Sequence, residues 1–351
     1  MTSTVLCSRP MIRGIVKGDI RMCNQPPLSN DTSHGCSRRQ FITTALAGTG
    51  VLAGAPGLLS AAERKKGDKK KKAAAPSQAG KGQAARGQAT DIVTLGATGI
   101  QTTRIAHGTG WNGGGRSSAH TRLGEKAFVE LMRHSIDKGV AFIDTADLYG
   151  SQPYIGTALR EVPRDRYIVL SKIWPREEYW NMPSGGAQKE VDRFRKELRT
   201  DVLDICLIHC MTDAEWPAKF ERIRDELSEL KQKGAVRAVG VSCHDLGALK
   251  TAAVNPWTDV IFARINNVGK AAEMDASVEE VAPVLKQARA NGKVVIGMKI
   301  FGAGKLVEPQ QKDASLKYVF ENQLVDAVTI GMLSPTEVDD TLQRMTQALK
   351  A

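Results

Sequence analysis

Eight times in the C-terminal three quarters of the chain, a short apolar run gives way to an amphipathic helical pattern. This alternation confines the chain to a few folds, because strands that are apolar throughout belong to parallel sheets covered on both faces. The runs fall at Thr103–Gly108, Ala141–Asp144, Tyr167–Lys172, Val202–His209, Val236–Ser242, Val260–Arg264, Val294–Met298 and Val325–Gly331. Between them, helical spacing puts Phe128, Leu131 and Ser135 on one face. The same spacing groups Phe220 with Ile223, Leu227 and Leu230, Val281 with Leu285 and Ala288, and Val338 with Leu342, Met345 and Leu349. Gly139, Gly234 and Gly292 stand where helices should stop. Eight such units in ~250 residues are the size and rhythm of an α/β fold of the (β/α)8 TIM-barrel type. A doubly wound open sheet is the competitor.

Polar residues separate the two folds. Asp144, Lys172, His209 and Ser242 come late in successive runs, and Tyr149 follows the first of them. A barrel delivers every strand's C-terminal end to one rim, where these side chains converge; an open sheet would spread them along an edge. The Gly-rich stretch Gly108–Gly115 lacks both a directly following helix and the later acidic residue of a dinucleotide fingerprint. It reads as a rim loop, with Trp111 available to line a substrate pocket together with Trp174.

Reducing a carbonyl by hydride leaves an alkoxide that needs a proton donor within hydrogen-bond reach. A free phenol, with pKa ~10, is a reluctant donor and its phenolate is scarce near neutrality. Lys172 held by Asp144 and set against Tyr149 is expected to stabilise the phenolate, and His209 to donate to the same substrate oxygen. Singly, Asp144 and Lys172 read as a structural ion pair, Tyr149 as a rim aromatic and His209 as a core histidine. Together they read as a proton-transfer site.

The segments carrying these residues resemble the aldo-keto reductase family. LGATGIQTTRIAHGT is similar to that family's opening hairpin and first strand, and FIDTADLYG, LSKI, LDICLIHC, VGVSCH, IGMKIFGAG and IGMLSPTEV follow in the family's order. The resemblance spans nearly all of residues 91–351 and implies a catalytic tetrad of Asp144, Tyr149, Lys172 and His209. It implies an NAD(P)-dependent oxidoreductase interconverting a small carbonyl compound (aldehyde, ketone or sugar) and an alcohol by hydride transfer, with no metal. For the nucleotide it implies contacts from Ser242, Cys243, Met298, Lys299, Gly302, Gly304, Gly331 and Ser334. Several of these depart from the family's pattern: Cys243 stands where asparagine is usual, and Met298 where a stacking aromatic is common. The glutamine of the sixth strand is replaced by Ala263 or Arg264, ahead of Asn266 and Asn267. Basic residues that would meet a 2′-phosphate are missing from Gly331-Met332-Leu333-Ser334 and Glu337, so the choice between NADP and NAD stays open. One helix follows the last strand, which implies an open, loosely selective pocket. His107 and His244 are weaker candidates for the site, and His120 and His134 read as surface or helix packing.

Charge divides the chain. Residues 1–60 carry +4 and residues 61–90 carry +7, which accounts for the whole formal charge of +11 and leaves residues 91–351 neutral. Excess positive charge therefore lies outside the foldable part, which argues against nucleic acid as a partner. Ser37-Arg38-Arg39-Gln40-Phe41-Ile42 precedes a mildly apolar, Gly- and Ala-rich stretch ending at Ser60, Ala61 and Ala62. Residues 1–62 thus resemble a twin-arginine (Tat) signal peptide with a long leader, cleaved after Ala62. That implies handling by the Tat machinery, a periplasmic or otherwise exported location, and no stable membrane span after cleavage. Residues 63–90, rich in Lys, Ala, Gly and Gln, bury too little to offset chain entropy and read as a disordered basic linker. Of six cysteines, Cys206, Cys210 and Cys243 lie beyond the leader. They form neither a complete disulfide framework nor a zinc pattern. Cys206 and Cys210 alternate with His209 and are expected to face outward beneath helices. Two readings of other classes compete with the enzyme: a barrel that holds nucleotide as a sensor, for which Tyr149→Phe is harmless, and a tethered surface scaffold, for which residues 63–90 are indispensable.

Overall fold

The computed structural model describes residues 87–176 and 184–350; the expected signal peptide and most of the expected basic linker lie outside them. The chain opens with an antiparallel hairpin, β1 (Ile92–Leu95) and β2 (Ile100–Thr103). The first half then runs β3 (Ile105–Gly108), α1 (Glu125–Asp137), β4 (Phe142–Asp144), α2 (Gln152–Ala158), β5 (Ile168–Ile173), α3 (Ala187–Leu198) and β6 (Leu203–Met211). After it come α4 (Trp216–Lys219), α5 (Glu221–Gln232), β7 (Val236–Cys243), α6 (Leu246–Val254), β8 (Val260–Arg264), α7 (Val278–Ala290), β9 (Val294–Met298), α8 (Pro309–Glu321), β10 (Ala327–Gly331) and α9 (Pro335–Lys350). Strands β3 to β10 pair in parallel and close into a barrel, β10 returning to β3. The (β/α)8 expectation therefore holds, and the open sheet is excluded.

Two apolar layers follow from strand parity. Ala106, Phe142, Leu170, Leu207, Phe262 and Ile296 fill the interior. Leu95 and Ile100 of the hairpin join that cluster, fully buried, and stop the barrel at the N-terminal ends of its strands. Val169, Cys206, Val239, Ile261, Ala263 and Val328 face outward into the helix layer. Gly139, Gly234 and Gly292 follow α1, α5 and α7 with φ of 91°, 77° and 76°, as their places at helix ends predict. Asp245 caps α6 through Ala248 N at 2.9 Å, and Ser277 with Glu280 forms a capping box on α7.

Ahead of Asp91, Ala89 is buried and its amide donates to Thr346 Oγ1 on α9 at 3.2 Å. One expectation is corrected here. Cys206 packs outward, but Cys210 does not. The β6–β7 register shifts between Ile208 and Met211, and Cys210 takes φ 65°, which turns it into a cluster with Leu148, Trp174 and Tyr149 at the barrel mouth. Of the two alternatives for His120, surface or helix packing, the structure shows the second: it is buried, its ring centre lies 6.4 Å from that of Phe128 on α1, and its Nε2 lies 3.0 Å from the Met332 carbonyl.

Candidate active site

The parity that fills the interior with apolar groups lower down presents polar groups at the rim. Asp144 lies two residues beyond Phe142, Lys172 beyond Leu170, His209 beyond Leu207, Ser242 beyond Gly240 and Thr329 beyond Ala327. Each sits over the apolar interior at the C-terminal end of its strand. A cavity of about 320 Å³ opens there, lined by Gly110, Trp111, Asp144, Tyr149, Lys172, His209 and Ser242 on one side. Phe262, Met298, Lys299, Gly304, Gly331 and Glu337 continue its wall toward α9. A hollow of about 660 Å³ lies at the opposite end of the strands, where Arg164 and Arg237 meet buried Asp204 at 2.6 and 2.9 Å. Those groups pair with one another and hold β5 and β6 together through Asp204 and Val169 N.

Tyr149 comes from a single 3₁₀ turn, Asp147–Tyr149, that follows β4. Buried Asp147 fixes the turn by binding Arg193 at 2.6 Å and Arg116 at 2.9 Å. The phenol oxygen lies 3.4 Å from His209 Nε2, and the two rings meet edge to face at 5.5 Å. Lys172 donates to Asp144 Oδ1 and, at 2.9 Å, to the Thr145 carbonyl. Its ammonium lies 5.0 Å from the centre of the Tyr149 ring. Asp144 Oδ2 accepts from the Thr329 hydroxyl at 2.8 Å.

Burial dominates the electrostatics. It pushes the Tyr149 phenol well above its ordinary value, reinforced by the Asp144 carboxylate. Burial lowers the Lys172 ammonium, against the pull of Asp144. Burial also holds His209 well below its ordinary value, helped by the charges of Lys172 and Arg176. At rest the site therefore offers a neutral phenol and a neutral imidazole. In the resting site burial and the Asp144 carboxylate outweigh the expected pull of Lys172 on the phenol, and the lysine itself donates to Asp144 and the Thr145 carbonyl.

The remaining expected contacts divide. Ser242, Met298, Lys299, Gly304, Gly331 and Trp111 line the cavity. Cys243 does not: it has outward parity and is buried in the helix layer. Gly302 lies behind the wall, where an added Cβ would meet Ala272 Cβ at 3.0 Å. Ser334 spends its hydroxyl oxygen on the Glu337 amide at 3.2 Å as the cap of α9. Trp174 is buried against His209, ring centres 5.4 Å apart, behind the cavity lining. Of the two residues considered for the sixth barrel strand, Ala263 faces outward and Arg264 inward; Arg264 reaches His244 Nδ1 at 2.5 Å and Asp275 at 3.1 Å. Because a guanidinium only donates, His244 Nδ1 accepts. His107 packs under α1 against Ser135 Oγ at 2.7 Å, and His134 lies on that helix 3.0 Å from Asp339.

Reading the sequence missed Thr329 and the full part played by Asn266. Thr329 is polar at inward parity in an otherwise apolar run, which is a usable signal. Buried Asn266 donates to the Ala272 and Lys299 carbonyls and accepts from Val268 N and Gly269 N, so it ties the β8 and β9 loops together. In the second loop Lys299, Ala303 and Gly304 take φ of 59°, 54° and 90°. Inside that loop Gly302 N donates to the Lys299 carbonyl at 2.8 Å and Gly304 N to the Phe301 carbonyl at 3.0 Å, so the turn holds itself and carries the Lys299 side chain on the cavity wall. Ser242 Oγ accepts from Cys210 N at 2.8 Å, which leaves its own proton to donate. One hydroxyl, two ammonium groups (Lys299 and Lys312) and an apolar wall fit a flat heteroaromatic ring joined to a pyrophosphate. Among the described residues no group of three His, Cys, Asp or Glu side chains is placed to share a metal ion.

The model of the Aldo/keto reductase family matches residues 104–351. The aldo-keto reductase YhdN of Bacillus subtilis (strain 168) is 30% identical over 172 residues, which are 46% of this chain and 49% of that protein. The NADH-specific methylglyoxal reductase of Escherichia coli (strain K12) is 26% identical over 223 residues, covering 59% of this chain and 64% of that one. The matches thus span about half to two thirds of these relatives. Among solved structures, an aldo-keto reductase from Klebsiella pneumoniae in complex with NADPH superposes with a TM-score of 0.54 at 20% identity, over 72% of this chain and 88% of that one.

Proposed function

The chain belongs to the aldo/keto reductase family, and from that premise we propose that it interconverts a small carbonyl compound and an alcohol by hydride exchange with a nicotinamide nucleotide, Tyr149 carrying the proton. The observation that carries this reading is one cavity wall bearing a neutral phenol, a neutral imidazole and a buried Lys–Asp pair beside the loop that carries Lys299. Ser242 and Met298 would hold the nicotinamide end, and the Lys299 ammonium the pyrophosphate. A nicotinamide nucleotide, when bound, supplies or accepts the hydride.

This chain's residues supply the rest. With the carbonyl oxygen between Tyr149 Oη and His209 Nε2, both groups donate hydrogen bonds to it, polarising the carbon and supporting the oxygen's growing negative charge. The raised phenol pKa keeps the proton on Tyr149 until an alkoxide forms; the alkoxide is basic enough to take it. Lys172, its ammonium 5.0 Å from the ring centre and its position fixed by Asp144 and Thr329, then stabilises the phenolate through space. Burial of Asp144, Lys172 and His209, with Tyr149 half-buried beside them, strengthens these interactions by limiting access of water.

The sequence supports an exported enzyme, since residues 37–62 have the order of a twin-arginine signal and that route carries folded proteins. Free nucleotide is scarce outside the cytoplasmic membrane, so the proposal includes a cofactor carried out tightly bound. The test is to recover the mature protein from the exported compartment, assay NAD(H) and NADP(H) released on denaturation, and compare carbonyl reduction by wild type and Tyr149→Phe. Stoichiometric nucleotide and a rate loss of ~10²–10⁴-fold are expected. An empty site that binds neither nucleotide, or full activity without the phenol, refutes the reading.

A further inference from the structure

We propose that the far end of the cavity selects NAD(H) over NADP(H), with Glu337 as the residue that decides. The inference rests on the nucleotide reading above. From Tyr149 and His209 the cavity runs past Met298 and the Lys299–Gly304 loop to the first turn of α9, where Glu337, Asp340 and Thr341 form its wall. A dinucleotide with its nicotinamide at Tyr149 and its pyrophosphate at that loop sets its adenosine ribose against α9. The two nucleotides differ only by a phosphate on the 2′-oxygen of that ribose.

A helix N-terminus ordinarily welcomes such a phosphate, through its unpaired amides and positive dipole end. In α9 the position is filled from within. Glu337 Oε2 accepts the Leu333 amide at 2.7 Å while the Glu337 amide donates to Ser334 Oγ at 3.2 Å. Arg344, further along the same helix, is engaged by Asp340 at 2.8 Å and Asp313 at 2.8 Å. A 2′-phosphate would therefore arrive beside two carboxylates, whereas a 2′-hydroxyl can donate to one of them. This is the general distinction between acidic and arginine-lined ribose sites. Among the described residues Lys312 is the one cation on this stretch of wall beyond Lys299, and its ammonium lies 5.7 Å from the Phe301 ring centre, against the pyrophosphate loop. Lys312 therefore serves the linkage common to both nucleotides.

The experiment is a fluorescence titration of nucleotide-free protein with NADH and with NADPH, for wild type, Glu337→Gln and Lys312→Met. Wild type is expected to bind NADH at least ~10-fold tighter, the scale of one like-charge contact near a protein surface. Glu337→Gln keeps the side chain's acceptor for Leu333 N and should narrow the ratio at least ~3-fold by improving NADPH alone. Lys312→Met should weaken both nucleotides alike. Equal or tighter NADPH binding by wild type, or a Lys312→Met loss confined to NADPH, overturns the NAD assignment and leaves the nicotinamide reading standing. Binding of neither nucleotide overturns both.

Discussion

The Thr329 hydroxyl donates to Asp144 Oδ2 at 2.8 Å, linking the strand that closes the barrel to the acid that holds Lys172. Both oxygens of Asp144 are thereby engaged, one by a neutral hydroxyl and one by an ammonium. The carboxylate cannot rotate without breaking one of these bonds, and Lys172 takes its position from the carboxylate.

Thr329→Val keeps the shape and removes the donor. A hydrogen bond to a charged group contributes ~1.5–3 kcal/mol, so carbonyl reduction should slow about tenfold or more if that energy holds Lys172 in register. The nucleotide Kd should stay within about twofold, because Thr329 orders the acid rather than the cofactor wall. Steady-state rates beside a binding titration separate the two, and an unchanged kcat would show that Lys172 alone fixes Asp144.

Gly110→Ala tests how closely the rim loop is moulded to the phenol. A Cβ at Gly110 would lie 2.3 Å from Tyr149 Cε2 and Cζ, so the ring must move. Displacing a reacting group by about 1 Å costs ~10²-fold, and a loss of that order in kcat is expected with the fold intact. Gly234→Ala is the control. It has φ 77° and no neighbouring atom within 4 Å, and should lose about 1–2 kcal/mol of stability with no change in rate.

The fold was legible because the barrel interior needs apolar residues at alternate positions, and that need fixes where Asp144, Lys172, His209 and Ser242 point. Parity also places a side chain away from the cavity. Cys243 lies one residue beyond Ser242 and so faces the helices, whatever its place in a motif. Cys210 escaped the rule because a register shift after Ile208 is a property of the β6–β7 pairing, which leaves no mark in local composition. The burial of His120 was equally hidden, since it depends on the Met332 carbonyl more than two hundred residues away. The Tyr149 pKa needed depth as well as neighbours: the sequence named the lysine but could not weigh desolvation against it.

Stability should fall as pH falls, through a pair of buried histidines outside the site. His107 Nε2 and His120 Nε2 lie 3.1 and 3.0 Å from the same Met332 carbonyl, so both donate to it. Burial, with His120's proximity adding to it at His107, lowers them to about 3 and about 4. Folded values lie below the unfolded value of about 6.5, so the unfolded chain gains protons first and stability is lost below pH ~6.5. At pH 4.5 each histidine contributes roughly 2.5 kcal/mol to this loss. His107→Asn should therefore show a shallower decline than wild type when urea midpoints are compared at pH 7.5 and 4.5. Parallel declines would mean that His107 is protonated in the folded state.

Asn266 is the point at which the cofactor wall can be loosened without touching it. Its amide nitrogen donates to the Ala272 carbonyl at 2.8 Å and to the Lys299 carbonyl at 3.1 Å, while its oxygen accepts from Val268 N at 2.9 Å and Gly269 N at 3.0 Å. The Lys299 carbonyl begins the left-handed loop, so this bond holds the loop in a backbone conformation that non-glycine residues adopt only under constraint. Asn266→Ala leaves buried backbone groups without partners, at about 1–3 kcal/mol each. We expect the nucleotide Kd to rise at least ~10-fold with the carbonyl KM nearly constant, and amide exchange across residues 299–304 to quicken. Should exchange quicken while the Kd stays put, the loop does not hold the pyrophosphate, and that contact has to be sought along α8 at Lys312.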